Sequence, residues 1–174
     1  MTDRLGLQID PADLEKFKNI FKKIVGEIVE MPQTIVHRDY QSRNLMAYQG
    51  QFYLIDFQDA LMGPVLYDMV ALLRDSYIEL NYDERLELLK FYQKQTLFDV
   101  YQNFDLLQRH FDLITLQRKL KDAGRFQYIK TVKGNPKFMV HFPSSIKYVK
   151  EALSRLKDFD DLGRLLQKYI PDYI

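Results

Sequence analysis

The 174-residue sequence contains no cysteine. That excludes a disulfide framework, a thiolate metal site and a cysteine nucleophile. It also lacks a dominant charge. Twenty-five lysines and arginines face 24 aspartates and glutamates, a formal net charge of +1. So even a balance gives no electrostatic reason to expect nucleic acid or an anionic membrane as partner. No apolar run reaches transmembrane length, and the N-terminal MTDRLGLQIDP has no apolar signal core. A cytoplasmic location is the expectation. Internal repeats, low-complexity tracts and linkers are missing too, so a single domain over 1–174 is expected. What is present is a hydrophobic fraction of 47% and an aromatic fraction of 14%, enough to build a sizeable core.

The chain is organised around residues 34–60, TIVHRDYQSRNLMAYQGQFYLIDFQDA. Thr34-Ile35-Val36 is β-branched and reads as a buried strand end. Leu45 to Tyr48, the Gly50 turn and Phe52 to Ile55 read as a hairpin. A hairpin brings its open ends together, so Asn44 before it and Asp56 after it can converge on one point. The spacing is H-R-D-x4-N, eleven residues, then Asp at the end of an apolar strand. Phosphoryl transfer needs such a set: a carboxylate to orient the attacking hydroxyl and accept its proton, and an Asn and Asp to hold Mg²⁺ on nucleotide phosphates. Asp39 is the candidate catalytic base, and Asn44 with Asp56 the candidate metal pair. Hard oxygen ligands of this kind suit Mg²⁺. Polar loop residues capping strands are the plainer alternative; four residues in the right order and spacing favour the chemistry.

These residues resemble the catalytic and metal loops of the aminoglycoside phosphotransferase and choline kinase-like superfamily, relatives of the protein kinases. HRDYQSRNLM, LIDFQDALMGPVLYDMVALLRDSY and LQRKLKDAGRF resemble more closely the bacterial kinases that phosphorylate the anomeric hydroxyl of N-acetylmuramate or N-acetylglucosamine. The resemblance runs from about Asp10 to about Val149. It implies the C-terminal lobe of a protein-kinase-like fold, mainly α with a small β-hairpin (α+β), with ATP as co-substrate and Mg²⁺ as cofactor. It also implies that His37, Arg38 and Asp68 support the catalytic loop. For Asp68 the alternative is a first-turn acid on a helix dipole. Asp59 reads equally as a third acid near the metal or a loop carboxylate bonded to backbone.

The rest of the chain reads as helices. Asp10-Pro11 starts one that runs to about Glu30, with Leu14, Phe17, Phe21, Ile24 and Ile28 as its apolar stripe. Gly63-Pro64 reads as a turn, followed by a helix over 69–77 with Arg74 and Asp75 in its last turns. Arg74 could face the substrate or join a surface ion pair. Further helices start at Asn81 or Asp83 and at Asn103 or Asp105, the latter ending at a Gly124 C-cap. His110 reads as a hydrogen-bonded core histidine. Lys133 to Pro136 is a turn, and helices follow from Ser144 and from Leu156 to Pro171. Gln117, Arg118 and Arg125 could line the acceptor pocket. The cations of Leu116–Phe126 would suit a neutral or anionic sugar and repel a polycationic aminoglycoside.

The superfamily's N-terminal lobe, a sheet with a phosphate-covering loop and a strand lysine, has no counterpart in this sequence, which contains no G-x-G-x-x-G. The expectation is therefore a C-terminal lobe with the N-terminal lobe absent, nearly inactive alone. It would present an apolar cleft face to a missing lobe or, through self-association, to a second copy. The reading from a different class is a non-catalytic kinase-like binding module. Within the class, an aminoglycoside or choline kinase is the rival.

Overall fold

The computed structural model of the chain describes residues 8–170 and residue 173. The helix stop expected at Pro171 lies outside them. Helix α1 (Pro11–Val29) starts as its sequence requires. Asp10 Oδ1 accepts the Ala12 N–H at 2.8 Å, and Pro11 fills the first position, where no backbone donor is needed. Strand β1 (Gln33–Val36) follows, then β2 (Leu45–Tyr48), β3 (Gln51–Leu54) and β4 (Leu61–Pro64). Strands β2 and β3 form the expected hairpin, with Leu45 opposite Leu54 and Tyr48 opposite Gln51. Its two turn residues, Gln49 and Gly50, both have positive φ, 48° and 75°, the geometry that matches strand twist in a two-residue hairpin.

Strand β4 corrects the reading of Gly63-Pro64 as a turn. It pairs antiparallel with β1, Thr34 opposite Gly63 and Val36 opposite Leu61. Glycine is needed there because a Cβ on Gly63 would come within 2.7 Å of Val36 Cγ2. The two strand pairs are separate two-stranded sheets.

The remaining α-helices among the described residues are α2 (Tyr67–Leu73), α3 (Tyr82–Gln95), α4 (Phe104–Lys133), α5 (Phe142–Arg155) and α6 (Asp160–Tyr169). The fold is mainly helical with small antiparallel strand pairs, as expected. Asn81 caps α3 in a capping box with Glu84. Helix α4 runs straight through Gly124 to Lys133, so the expected C-cap does not form. An internal glycine costs a helix only about 1 kcal/mol. Ala123 and Phe126 on either side of it are buried in a cluster with Phe142 and Ile146, and that burial outweighs the cost. Among the described residues no helix is long and apolar enough to cross a membrane.

By its internal contacts the chain divides into two compact units, Ile28–Ile114 and the stretches on either side of it. The flanking unit is held partly by one buried carboxylate. Asp13, 7% exposed, accepts from Lys168 Nζ at 2.6 Å and Tyr169 Oη at 2.8 Å on α6, and from Lys16 Nζ at 3.1 Å. The bonds from Lys168, Tyr169 and Lys16 hold the Asp13 carboxyl well below the usual carboxylate range, and the Asp13 bond raises Lys168. A depressed acid stabilises the fold above its unfolded value of 3.8 and loses that contribution as pH falls through the folded value. Asp13→Asn should therefore lower the thermal midpoint at neutral pH. The gap to wild type should close as the pH is taken progressively below 3.8. Calorimetric melts across acid pH check this; a gap independent of pH would contradict it.

Candidate active site

All the motif residues of the catalytic loop and hairpin lie in the unit Ile28–Ile114. The loop leaves β1 at Val36, and its first two residues are held by one carboxylate. Asp68 on α2 accepts the His37 N–H at 2.6 Å through Oδ2 and the Arg38 N–H at 2.9 Å through Oδ1. Paired backbone donors on a charged acceptor are among the stronger hydrogen bonds. They hold Arg38 at φ 74°, a left-handed conformation that is costly for a bulky residue. Asp56 also sits at positive φ, 69°. Strained residues on both sides of one loop system are the kind of departure that clusters at functional sites.

His37 ties the two loops together. It is buried, and its Nε2 lies 2.9 Å from the Ile55 carbonyl, so Nε2 carries the proton and donates. Nδ1 is buried without a hydrogen-bond partner. Below it the loop folds on itself. The Asp39 carbonyl accepts from the Gln41 N–H at 2.9 Å and from Asn44 Nδ2 at 2.8 Å. The Asn44 carbonyl in turn accepts the Ile55 N–H at 3.1 Å, extending the hairpin by one pair. Asn44 and Asp56 therefore flank the hairpin's open end, as the sequence pattern requires. Because the Asn44 amide nitrogen is engaged, its Oδ1 remains an acceptor. Asp56 takes one donor, Gln58 Nε2 at 2.8 Å on Oδ1. These are hard oxygen donors, of the kind and number that Mg²⁺ uses beside phosphate oxygens. No group of three or more His, Asp or Glu side chains suited to a metal occurs among the described residues. Asp39 is exposed. Asp59 contributes its carbonyl, 3.3 Å from an Arg38 guanidinium nitrogen.

Two residues that the sequence left without a role belong to this framework. Asp75 is 3% exposed. Its carboxylate bridges the Ser42 N–H at 2.8 Å and the Tyr77 N–H at 2.9 Å. The bond to Tyr77, two residues on, is legible as an aspartate turn; the bond to Ser42 across 33 residues is not. The helix expected over 69–77 stops at Leu73, which frees Asp75 for this work. The second residue is Arg43, whose guanidinium carbon lies over the Tyr77 ring 4.6 Å from its centroid.

The acceptor-side candidates are placed differently. Arg74 is 1% exposed, over the Phe111 ring and 4.0 Å from the Asp112 carboxylate. It is a core residue, which corrects both the substrate-facing and the surface ion-pair readings. Arg118 is 2% exposed and likewise buried, as is Lys119, which is paired with Asp122 at 3.3 Å. The basic lining expected over Leu116–Phe126 therefore shrinks to Lys121 and Arg125, which with Gln117 are exposed. Arg74 lies in the same unit as the catalytic loop, whereas Gln117, Arg118, Lys119, Lys121 and Arg125 lie in the other. His110 Nδ1 is hydrogen-bonded to the buried Tyr101 hydroxyl at 3.2 Å, and burial pushes the Tyr101 phenol up, so it stays protonated.

The chain is similar to known proteins over most of its length. The sequence profile described as the phosphotransferase enzyme family matches residues 3–107. An N-acetylmuramate/N-acetylglucosamine kinase of Pseudomonas aeruginosa is 33% identical over 165 residues, covering 93% of this chain and 49% of that protein. The proteins of the same name from Neisseria meningitidis serogroup B and Pseudomonas putida are 31% and 30% identical, with 97% and 93% of this chain covered. The chain spans about half the length of the curated relatives it matches.

Proposed function

This chain belongs to the phosphotransferase enzyme family, and from that premise we propose that it carries the catalytic half of an ATP-dependent kinase acting on an amino-sugar hydroxyl. The observation that carries the reading is the single hydrogen-bonded framework around Asp39, Asn44 and Asp56, braced by Asp68 and Asp75. Asp39 orients the acceptor hydroxyl and takes its proton as the oxygen attacks phosphorus. Asn44 Oδ1 and the Asp56 carboxylate would hold Mg²⁺, which supplies neutralisation of charge on the nucleotide phosphates. His37, Arg38 and Asp68 keep the loop in its strained form, so these groups need no rearrangement when substrate arrives.

The names of the relatives support N-acetylmuramate or N-acetylglucosamine as acceptor. The hairpin supports a covered cleft: Phe52 is 80% and Phe57 70% exposed, with Met46, Tyr48 and Tyr53 exposed beside them. Apolar area of this kind is normally covered. The half of the relatives' length that this chain does not span, or a second copy of the chain, would cover it. A coupled ADP-release assay with a full-length enzyme carrying this chain tests the acceptor. Turnover of the two sugars should exceed that of choline and kanamycin. Kanamycin turned over faster than both sugars would refute the sugar assignment.

A further inference from the structure

Arg43 directly precedes Asn44 and lies four positions after Asp39, in the short turn Ser42–Asn44. It is exposed. Its ring contact with Tyr77 is its one side-chain interaction among the described residues; no carboxylate pairs with it. Yet the loop system that carries it is rich in acids: Asp39, Asp56, Asp68 and Asp75 all bond within it. A free surface arginine would ordinarily drift toward one of them. This one lies instead over an aromatic face, on a residue whose backbone is anchored. The Asp75 carboxylate bonds both the Tyr77 N–H and the Ser42 N–H, so the backbone of Tyr77 and the turn carrying Arg43 share one buried anchor. A guanidinium held over an aromatic face by a cation–π contact keeps N–H donors that the ring does not use, and such donors suit bidentate capture of a planar or tetrahedral oxyanion.

We propose that Arg43 is an oxyanion-binding residue of the phosphoryl-transfer site, taking either the transferred phosphoryl group or a carboxylate on the acceptor. The proposal rests on the sugar-kinase reading above. Of the two sugars in the relatives' names, N-acetylmuramate bears a carboxylate and N-acetylglucosamine does not, so the pair separates the two sources.

The test measures kcat and KM for both sugars in a full-length enzyme carrying this chain, with Arg43→Gln and Arg43→Lys, and records thermal midpoints. Loss of a charge-assisted contact should lower kcat/KM of Arg43→Gln by about 10- to 100-fold, with partial recovery in Arg43→Lys. An equal loss on both sugars, carried by kcat, identifies the phosphoryl group. A loss confined to N-acetylmuramate, carried by KM, identifies the acceptor carboxylate. Unchanged kinetics on both sugars, or a fall in thermal midpoint alone, overturns the proposal. If the wild type turns over neither sugar, it is the sugar reading that fails. Arg43 is then judged on the 174-residue chain titrated with tripolyphosphate, following the Arg43 Nε–H resonance. A saturable shift absent with chloride at matched ionic strength supports the proposal, and no shift overturns it.

Discussion

Asp39→Asn, made in a full-length enzyme carrying this chain, should lower kcat by about 10²–10⁴-fold, the usual worth of a positioned general base. The substitution keeps the side chain's shape and removes its ability to take a proton. Asp39 is exposed, and the bonds its backbone carbonyl accepts from Gln41 and Asn44 are untouched by the substitution. Thermal stability should therefore stay close to wild type, within about 0.5 kcal/mol as for most surface changes. Steady-state kinetics alongside thermal melts separate the two effects. A stable variant with wild-type kcat would rule out the base role.

Asp68→Asn should have the next largest effect, and of a different character. The carboxylate has two oxygens, each accepting a backbone N–H, at 2.6 and 2.9 Å. An amide offers one acceptor and points its own N–H at the other donor. Losing one charge-assisted bond typically costs about 1.5–3 kcal/mol. It also releases the restraint that holds Arg38 at φ 74°. The loop then relaxes toward unstrained backbone and Asp39 loses its placement, so kcat should fall by at least about tenfold, because small misplacements of reacting groups are expensive. Unlike Asp39→Asn, this variant should lose stability and activity together. An active variant with an unchanged melting midpoint would show that the α2 carboxylate is not the brace. Were Asp68 merely an acid on the α2 dipole, its removal would matter far less, about 0.3–1 kcal/mol.

The sequence by itself determined the local parts. The Asp10-Pro11 start of α1, the Gln49-Gly50 hairpin turn and the Asn81 capping box follow from chemistry within a few residues, which a linear pattern records. So does the order His37, Asp39, Asn44, Asp56, because the loop and hairpin that carry them are contiguous. Asn44 and Ile55 pair because a short hairpin leaves them nowhere else to go. What only the tertiary structure decided depends on partners far along the chain. Gly63-Pro64 looks like a turn until β1 lies beside it. Gly124 looks like a helix end until Phe142 and Ile146 bury its neighbours Ala123 and Phe126. Arg74 and Arg118 look like surface charges until burial removes them from solvent. Asp75 acquires its place from a bond to Ser42, 33 residues away. In each case the local preference is worth about 1 kcal/mol or less, and long-range packing or a buried carboxylate outweighs it.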